Sequence, residues 1–202
     1  MFTGLIQDIG VVRSIDKDGD WRIVIGVDAL DMEAHAIGAS IACSGCCLTV
    51  VEKGADWFSV DVSHESLDLT IIQDWEEGTQ INLEPSLKLG DEMGGHIVSG
   101  HVDGLAELMA LREDHDSWRL SIKVPEALAP FIASKGSVAV DGVSLTVNEV
   151  EDKGACVFGV NIIPHTWGKT TLSDRKVGDK LNLEIDMLAR YVSRMLNVRG
   201  ER

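Results

Sequence analysis

Apolar and polar residues alternate with a period of two through much of the chain, in short runs closed by Gly, Asp or Asn. In the first half the runs are Trp21–Val27, Ser40–Ala42, Cys47–Val51, Trp57–Val62 and Thr79–Glu84. In the second they are Ala106–Leu111, Trp118–Val124, Ser137–Val140, Ser144–Val150, Ala155–Ile163 and Lys180–Glu184. Val, Ile, Thr and Trp dominate them. Successive side chains of a strand point to opposite faces, so each run predicts a strand with one buried side. Lys53-Gly54, Asp141-Gly142 and Lys153-Gly154 supply turns. Several short strands in each half predict closed antiparallel barrels, because closure removes the unpaired edges of an open sheet. Inside the halves, helix is expected only over Asp28–His35 and Glu126–Ser134, each bridging two strands.

The pattern is also written twice. Phe2-Thr3-Gly4-Leu5-Ile6 reads against Val98-Ser99-Gly100-His101-Val102, and Gly45-Cys46-Cys47-Leu48-Thr49-Val50 against Gly142-Val143-Ser144-Leu145-Thr146-Val147. Glu65-Ser66 then reads against His165-Thr166, and the segment Gly78–Glu84 against Gly178–Glu184. Blocks that recur in one order at nearly constant spacing predict two copies of one architecture. The expected layout is a barrel over residues 1–96, a second over 97–186 and a C-terminal segment over 187–202. The halves meet near Leu89–Gly95, where Gly90, Gly94, Gly95, Asp91 and Glu92 cluster. In the last segment Met187, Leu188, Tyr191, Val192, Met195 and Leu196 recur at helical spacing, with Arg190, Ser193 and Arg194 opposite. Asp186 stands where an N-cap would, so an amphipathic helix follows. An apolar stripe is costly to expose, and a partner subunit is its expected cover, with docking onto the chain's own barrel the alternative.

Charge narrows the partners. The chain of 202 residues has a formal net charge of −15 and no Lys/Arg cluster. Such a polyanion is repelled by phosphate backbones and anionic bilayers, which excludes nucleic acid and membrane surfaces and favours a neutral polar ligand. No run approaches the roughly 18 apolar residues of a membrane span. Met1 to Gly10 has no basic residue before an apolar run, so no secretory leader is expected. Cys43 and Cys46 have C-x-x-C spacing, but His64 and Cys156 do not complete a metal site, and adjacent Cys46 and Cys47 side on opposite strand faces. Reduced thiols, a cytoplasmic location and no metal are the expectation.

Polar groups gather in four places. The first is Gly94-Gly95-His96-Ile97-Val98-Ser99-Gly100-His101-Val102-Asp103-Gly104, where glycines flank two histidines. Glycines let a ligand approach the backbone, and histidine titrates near neutrality, although a plain linker has the same composition. The second is Asp141–Val147, which puts Ser144, Thr146 and Asn148 on one strand face; Cys47 and Thr49 take the equivalent places in the first copy. The third is Asn161–Thr166, matched by Asp61–Ser66, and the fourth is Asp186. Each has an ordinary structural reading as loop, wet strand face or helix cap. Their repetition points to two similar pockets for one kind of ligand.

At these residues the chain resembles the riboflavin synthase family. The match runs through Met-Phe-Thr-Gly at the start, Gly-Cys-Cys-Leu-Thr-Val at 45–50, and Gly-Gly-His-Ile-Val-Ser-Gly-His-Val-Asp-Gly at 94–104. It continues through Asp-Gly-Val-Ser-Leu-Thr-Val at 141–147 and Asn-Leu-Glu-Ile-Asp at 182–186. The resemblance implies an all-β fold of two tandem six-stranded Greek-key barrels with a C-terminal α-helix that assembles a homotrimer. It implies no cofactor, a substrate that is 6,7-dimethyl-8-ribityllumazine, and lumazine synthase as a further candidate partner. The reaction would pass a four-carbon unit between two such molecules, giving riboflavin and 5-amino-6-ribitylamino-uracil.

By motif, Gly4, Leu5, Ile6, Cys47, Leu48, Thr49, Asp61, Val62, Ser63, His64, Glu65 and Ser66 would contact ligand in the first barrel. Gly100, His101, Val102, Lys135, Ser144, Leu145, Thr146, Asn161, Ile162, Ile163, Pro164, His165 and Thr166 would do so in the second. Among these, His101 and Thr146 would assist deprotonation of the lumazine methyl group. Ser144, Cys47 and Asp186 would supply or activate a nucleophile, the division of labour staying open. Ser44, Asp68, Ile71 and Trp167 depart from the usual pattern and bear on pocket shape. A lumazine- or flavin-binding antenna protein of the same fold is the alternative; the joint presence of His101, Ser144, Thr146 and Asp186 favours the enzyme.

Overall fold

The computed structural model describes residues 1–200. The first half holds strands β1 (Asp8–Asp16), β2 (Trp21–Gly26), β3 (Ser40–Cys43), β4 (Cys46–Lys53), β5 (Trp57–Val62) and β6 (Gln80–Pro85), with helix α1 (His64–Leu69). The second holds β7 (Gly104–Asp114), β8 (Ser117–Lys123), β9 (Ser137–Val140), β10 (Val143–Glu151), β11 (Val157–Ile162) and β12 (Lys180–Ile185), with α2 (Pro164–Lys169), and α3 (Met187–Gly200) closes the chain. Each half closes into a six-stranded antiparallel barrel, in the order β1-β2-β5-β4-β3-β6 and its equivalent in the second copy. Every strand thereby has a neighbour on both sides, and each barrel fills its own interior. Ile23, Ile25, Ile41, Phe58, Val60 and Leu83 pack the first, and Leu108, Leu120, Ile122, Phe158, Val160 and Leu183 the second.

Three local expectations change. β1 has no counterpart among the alternating runs, because Gly10 and two outward charged or polar stretches break its apolar rhythm. The helices expected over 28–35 and 126–134 shrink to 3-10 turns at Met32–Ala34 and Glu126–Phe131, the latter with Pro130 inside. A proline removes a backbone donor and clashes with the preceding turn, so a full helix cannot form there. Conversely, the polar ends of β5 and β11 turn at once into α1 and α2. Ser63 caps α1 by accepting from Ser66 N, and Pro164 takes the first turn of α2, where its missing N–H costs nothing.

The barrels meet through backbone. Ser44-Gly45 and Asp141-Gly142 form tight hairpin turns with positive φ at both positions, 44° and 84° in one and 46° and 80° in the other. The turns touch so closely that a Cβ on Gly45 would lie 2.7 Å from Gly142 N. Two asparagines bridge the joint reciprocally. Asn82 Nδ2 donates to Asp141 O at 2.9 Å and its Oδ1 accepts from Thr171 N at 2.8 Å. Asn182 Nδ2 donates to Ser44 O at 2.8 Å and its Oδ1 accepts from Ile71 N at 2.9 Å. Between the barrels Phe2, Val98, Ala42 and Ala139 form a small buried cluster.

All four asparagine partners are backbone groups at a buried joint, so truncation leaves them unpaired at about 1–3 kcal/mol each. Asn182→Ala is expected to lower the melting temperature by several degrees and Asn82→Ala similarly. Calorimetry on the purified variants checks this; unchanged midpoints would show that water replaces the amide.

Candidate active site

The site is built on two equivalent straps, Thr3–Leu5 and Ser99–His101, laid down by one antiparallel contact. Phe2 N donates to Val98 O at 2.7 Å and Val98 N to Phe2 O at 3.1 Å. Each strap is held by a buried glutamate on the last strand of its own barrel. Glu84 Oε1 accepts from Thr3 N and Thr3 Oγ1, both at 2.7 Å, and Oε2 from Gly4 N at 2.8 Å. Glu184 accepts from Ser99 N and Oγ at 2.6 Å, Gly100 N at 2.9 Å and His101 N at 3.1 Å. Burial pushes the Glu84 carboxyl up, and the hydrogen bonds from the Thr3–Leu5 strap pull it back down.

Beyond these anchors the straps cross to the opposite barrel. Ser144 N donates to Gly4 O at 2.8 Å, and Cys47 N donates to Gly100 O at 2.8 Å. A Cβ on Gly4 would lie 2.6 Å from Ser144 Cβ, and one on Gly100 2.6 Å from Cys47 Cβ. Ile6 packs against the second core and Val102 against the first. The motif match assigns Gly4–Ile6 to the first barrel's pocket and Gly100–Val102 to the second's; in the structure they lie on the other barrel. The antiparallel Phe2–Val98 pairing is the reason, since it carries the two chain segments past each other over the joint. A cavity of about 430 Å³ opens where Ile6, Gln7, Asp8 and Ile9 face His165 and Lys169 of α2.

On the second barrel the crossing assembles a dyad. His96 Nδ1 and Ser144 Oγ are 2.7 Å apart, and His96 N donates to Thr3 O at 3.2 Å. The other ring nitrogen, His96 Nε2, is buried with no partner among the described residues. A buried polar atom left unpaired is costly, and a polar group on a ligand would satisfy it. Burial holds His96 below the usual imidazole range, while the Asp186 carboxylate nearby draws it part of the way back. A neutral imidazole on a serine hydroxyl can take the hydroxyl proton as the oxygen adds to an electrophile. Asp186 also caps α3, its Oδ1 accepting from Leu188 N at 2.8 Å. The structure thus gathers Ser144, Asp186 and His96, whereas His101 sits between Gly100 and Val102 on the Cys47 side. The histidine within hydrogen-bond distance of Ser144 is His96. It precedes the repeated blocks, has no counterpart in the first copy, and reads as linker for that reason.

The remaining candidates divide by face. Cys47 and Ser144 are half-buried, and Thr49 and Thr146 exposed, along one side of β4 and β10. Leu48, Leu145, Val62 and Ile162 turn into the barrel cores and offer a ligand only their backbone. Asp61 forms a bidentate pair with Arg22, which holds its carboxyl below the usual range. Ser63, His64, Glu65 and Ser66 begin α1, and Ile163, Pro164, His165 and Thr166 begin α2. Asn161 lies on β11, opposite Arg119. Lys135 is an exposed turn residue with φ of 68°. Trp167 stacks on Trp118 with ring centroids 4.5 Å apart, pinning α2 to β8, where the first copy has a buried Leu67. Of the thiols, burial pushes Cys43 well up and Cys46 to about 12, so both stay protonated at neutral pH.

Comparison with known proteins agrees with this architecture. The family model of the lumazine binding domain matches residues 3–86 and again 99–186. Riboflavin synthase of Brucella abortus (strain 2308) is 52% identical over 200 residues, covering 96% of this chain and 98% of the relative. Those of Photobacterium phosphoreum and Bacillus subtilis (strain 168) are 43% and 36% identical, over 98% and 100% of this chain and 90% and 92% of theirs. Crystal structures of LumP with 6,7-dimethyl-8-(1'-D-ribityl) lumazine and with riboflavin superpose with TM-scores of 0.81 and 0.83 at 26% identity, covering 92% of this chain and 99% of LumP. The fold and its paired straps define a tandem-barrel protein carrying two lumazine binding domains. Within that class, the chain belongs to the riboflavin synthase family.

The His96 environment sets a sign. Its lowered value keeps the ring neutral at neutral pH, and the fold loses stability as pH falls from about 6.5, the ordinary imidazole value, towards the lowered one. Asp186→Asn removes the group that raises His96, so the NMR titration midpoint of the ring is expected to fall further. A midpoint that rises would place Asp186 outside the electrostatic reach of the dyad.

Proposed function

We propose that the crossed straps hold two lumazine sites of unlike chemistry, through which this chain dismutates 6,7-dimethyl-8-ribityllumazine. The enzyme is a transferase: one lumazine gives up a four-carbon unit and leaves as 5-amino-6-ribitylamino-uracil, and the other gains it and leaves as riboflavin. The observation that carries the two-site reading is the His96–Ser144 hydrogen bond, absent from the equivalent place in the first copy, where Cys47 has no such histidine. Two identical substrates must play opposite parts. Duplicated strand faces supply like recognition, and the unequal pair Ser144–His96 against Cys47 supplies the difference.

In this reading Ser144 Oγ adds to the ring of the lumazine on the second barrel, or delivers a water to it, and neutral His96 takes the proton. Asp186 stabilises the imidazolium so formed. His101, on the Cys47 side, and Thr146, on the Ser144 side, assist loss of a proton from the methyl group of the other lumazine, with Cys47 beside it. Holding the two rings in contact geometry supplies about 7–11 kcal/mol of the barrier, the scale of proximity effects. No step calls for a cofactor. The supporting geometry is a neutral base on a hydroxyl beside a vacant polar nitrogen.

A site divided between barrels goes with assembly. α3 leaves Leu188, Tyr191, Val192, Met195 and Leu196 at least half exposed, and Arg190 tethers the helix to Asp103 at 2.7 Å. We take this stripe as the contact of a homotrimer that sets the first barrel of one subunit against the second barrel of another. Cytoplasmic residence and lumazine synthase as a partner complete the reading. No helix among the described residues is long and apolar enough to cross a membrane.

Ser144→Ala is expected to lower turnover about 10²–10⁴-fold, the range for a lost acid–base partnership, while lumazine affinity changes little. Riboflavin fluorescence formed from purified lumazine reads this directly; near-normal turnover would remove the dyad from the chemistry. A wild-type protein that binds lumazine and yields no riboflavin would favour the antenna alternative. Replacing Leu188 and Val192 together by Glu is expected to release monomers without loss of fold, by analytical ultracentrifugation. A trimer that survives would take α3 out of the interface.

A further inference from the structure

Each strap-holding glutamate stands in one barrel, and the strap that it holds touches the other. Glu84, on β6 of the first barrel, is 2% exposed, and Glu184, on β12 of the second, 3% exposed. Neither forms an ion pair among the described residues. Their donors are strap amides and one hydroxyl each, so their only visible work is to hold two or three consecutive residues in place. From the Glu84 strap, Gly4 O receives Ser144 N and Thr3 O receives His96 N, so both members of the dyad hang on it. From the Glu184 strap, Gly100 O receives Cys47 N, and His101 N is itself bound by the carboxylate.

We infer that Glu84 and Glu184 are positioning residues that act across the joint: Glu84 sets the Ser144–His96 site of the second barrel, and Glu184 sets the Cys47–His101 site of the first. The inference rests on the reading above that these are the two lumazine sites. A carboxylate suits the task because both of its oxygens accept, and a charged acceptor binds amides about twice as strongly as a neutral one. Glutamine has the same shape but only one accepting oxygen. Its amide nitrogen would face the N–H of Gly4 or Gly100, donor against donor, and the strap would come loose. Each barrel thereby shapes the ligand face of its twin, and neither site is complete within one repeat.

The test uses the full-length protein, Glu84→Gln and Glu184→Gln, and one probe on each barrel. Cys47 is the half-buried thiol among three buried ones, so its alkylation by N-ethylmaleimide, located by mass spectrometry, reports on the first barrel. The NMR titration of His96 reports on the second. Glu184→Gln is expected to change the Cys47 alkylation rate about tenfold, the scale of one charge-assisted hydrogen bond, and to leave His96 unmoved. Glu84→Gln is expected to raise the His96 midpoint towards the ordinary imidazole range and to leave Cys47 unmoved. In both, kcat falls by a larger factor than KM rises.

Probes that answer in the glutamate's own barrel, or both probes answering to both variants, would overturn the crossing. Should a glutamine variant fail to fold, Thr3→Val and Ser99→Ala each remove a single hydroxyl donor from the same carboxylates and must show the same crossed pattern at smaller amplitude. Lumazine should slow Cys47 alkylation in the wild type. If it does not, the site reading fails and the positioning role with it. If protection is intact while the probes answer in the wrong barrel, the crossing alone is wrong.

Discussion

The antiparallel contact between Phe2 and Val98 is the constraint on which the functional surface depends. Two hydrogen bonds there, with Phe2 fully buried among Val98, Ala42 and Ala139, bring the starts of both repeats to the joint and point them in opposite directions. Burying one phenylalanine contributes about 1.5–3 kcal/mol, comparable to the hydrogen bonds it shelters. Because the segments pass rather than meet, the residues after Phe2 must lie on β10 and those after Val98 on β4. The positive φ of Gly4 and Gly100 and the absence of a side chain are then requirements of the crossing, since a Cβ at either would collide with the opposite strand.

Duplication explains the symmetry of the joint, and small departures from it explain how like sites come to differ. The Asn82 and Asn182 amides make the same pair of bonds in opposite directions. Around them the copies diverge. In the second barrel Asp141 is buried and paired with Arg175, Nη2 to Oδ2 at 2.7 Å, while it accepts Asn182 N with its other oxygen. In the first, Ser44 accepts Asn82 N and a buried Trp75 stands in the arginine's place. Burial pushes Asp141 up, and Arg175 pulls it down, so that carboxylate needs its arginine. The more consequential difference is at the site. Ser144 has an imidazole because the linker between the repeats supplies His96, whereas Cys47 meets the strap through Gly100 O.

α3 adds a further break in symmetry. Asp186 caps it and Asp103 binds Arg190, so the helix is fixed at the end of β12, close to the dyad. One carboxylate therefore caps the helix and acts on the His96 ring. The cap reading of Asp186 is realised in its bond from Leu188 N, and the same carboxylate raises His96.

What the sequence by itself determined is what is encoded between near neighbours or by exact recurrence. Alternation marks strands because successive side chains face opposite ways, and most of the strands are visible on that basis. Recurring blocks show two like units, and the helical spacing from Met187 to Leu196 shows α3. The pairing Cys47–Ser144 follows from the same recurrence. Only the tertiary structure decided which barrel each strap serves and which histidine meets Ser144. Those contacts join residues far apart in the chain through backbone hydrogen bonds and a side-chain-free approach of glycine, and such contacts leave no periodic trace. His96 and His101 look alike in a glycine-rich stretch. The crossing at Phe2 and Val98 sends one to the serine and the other to the cysteine.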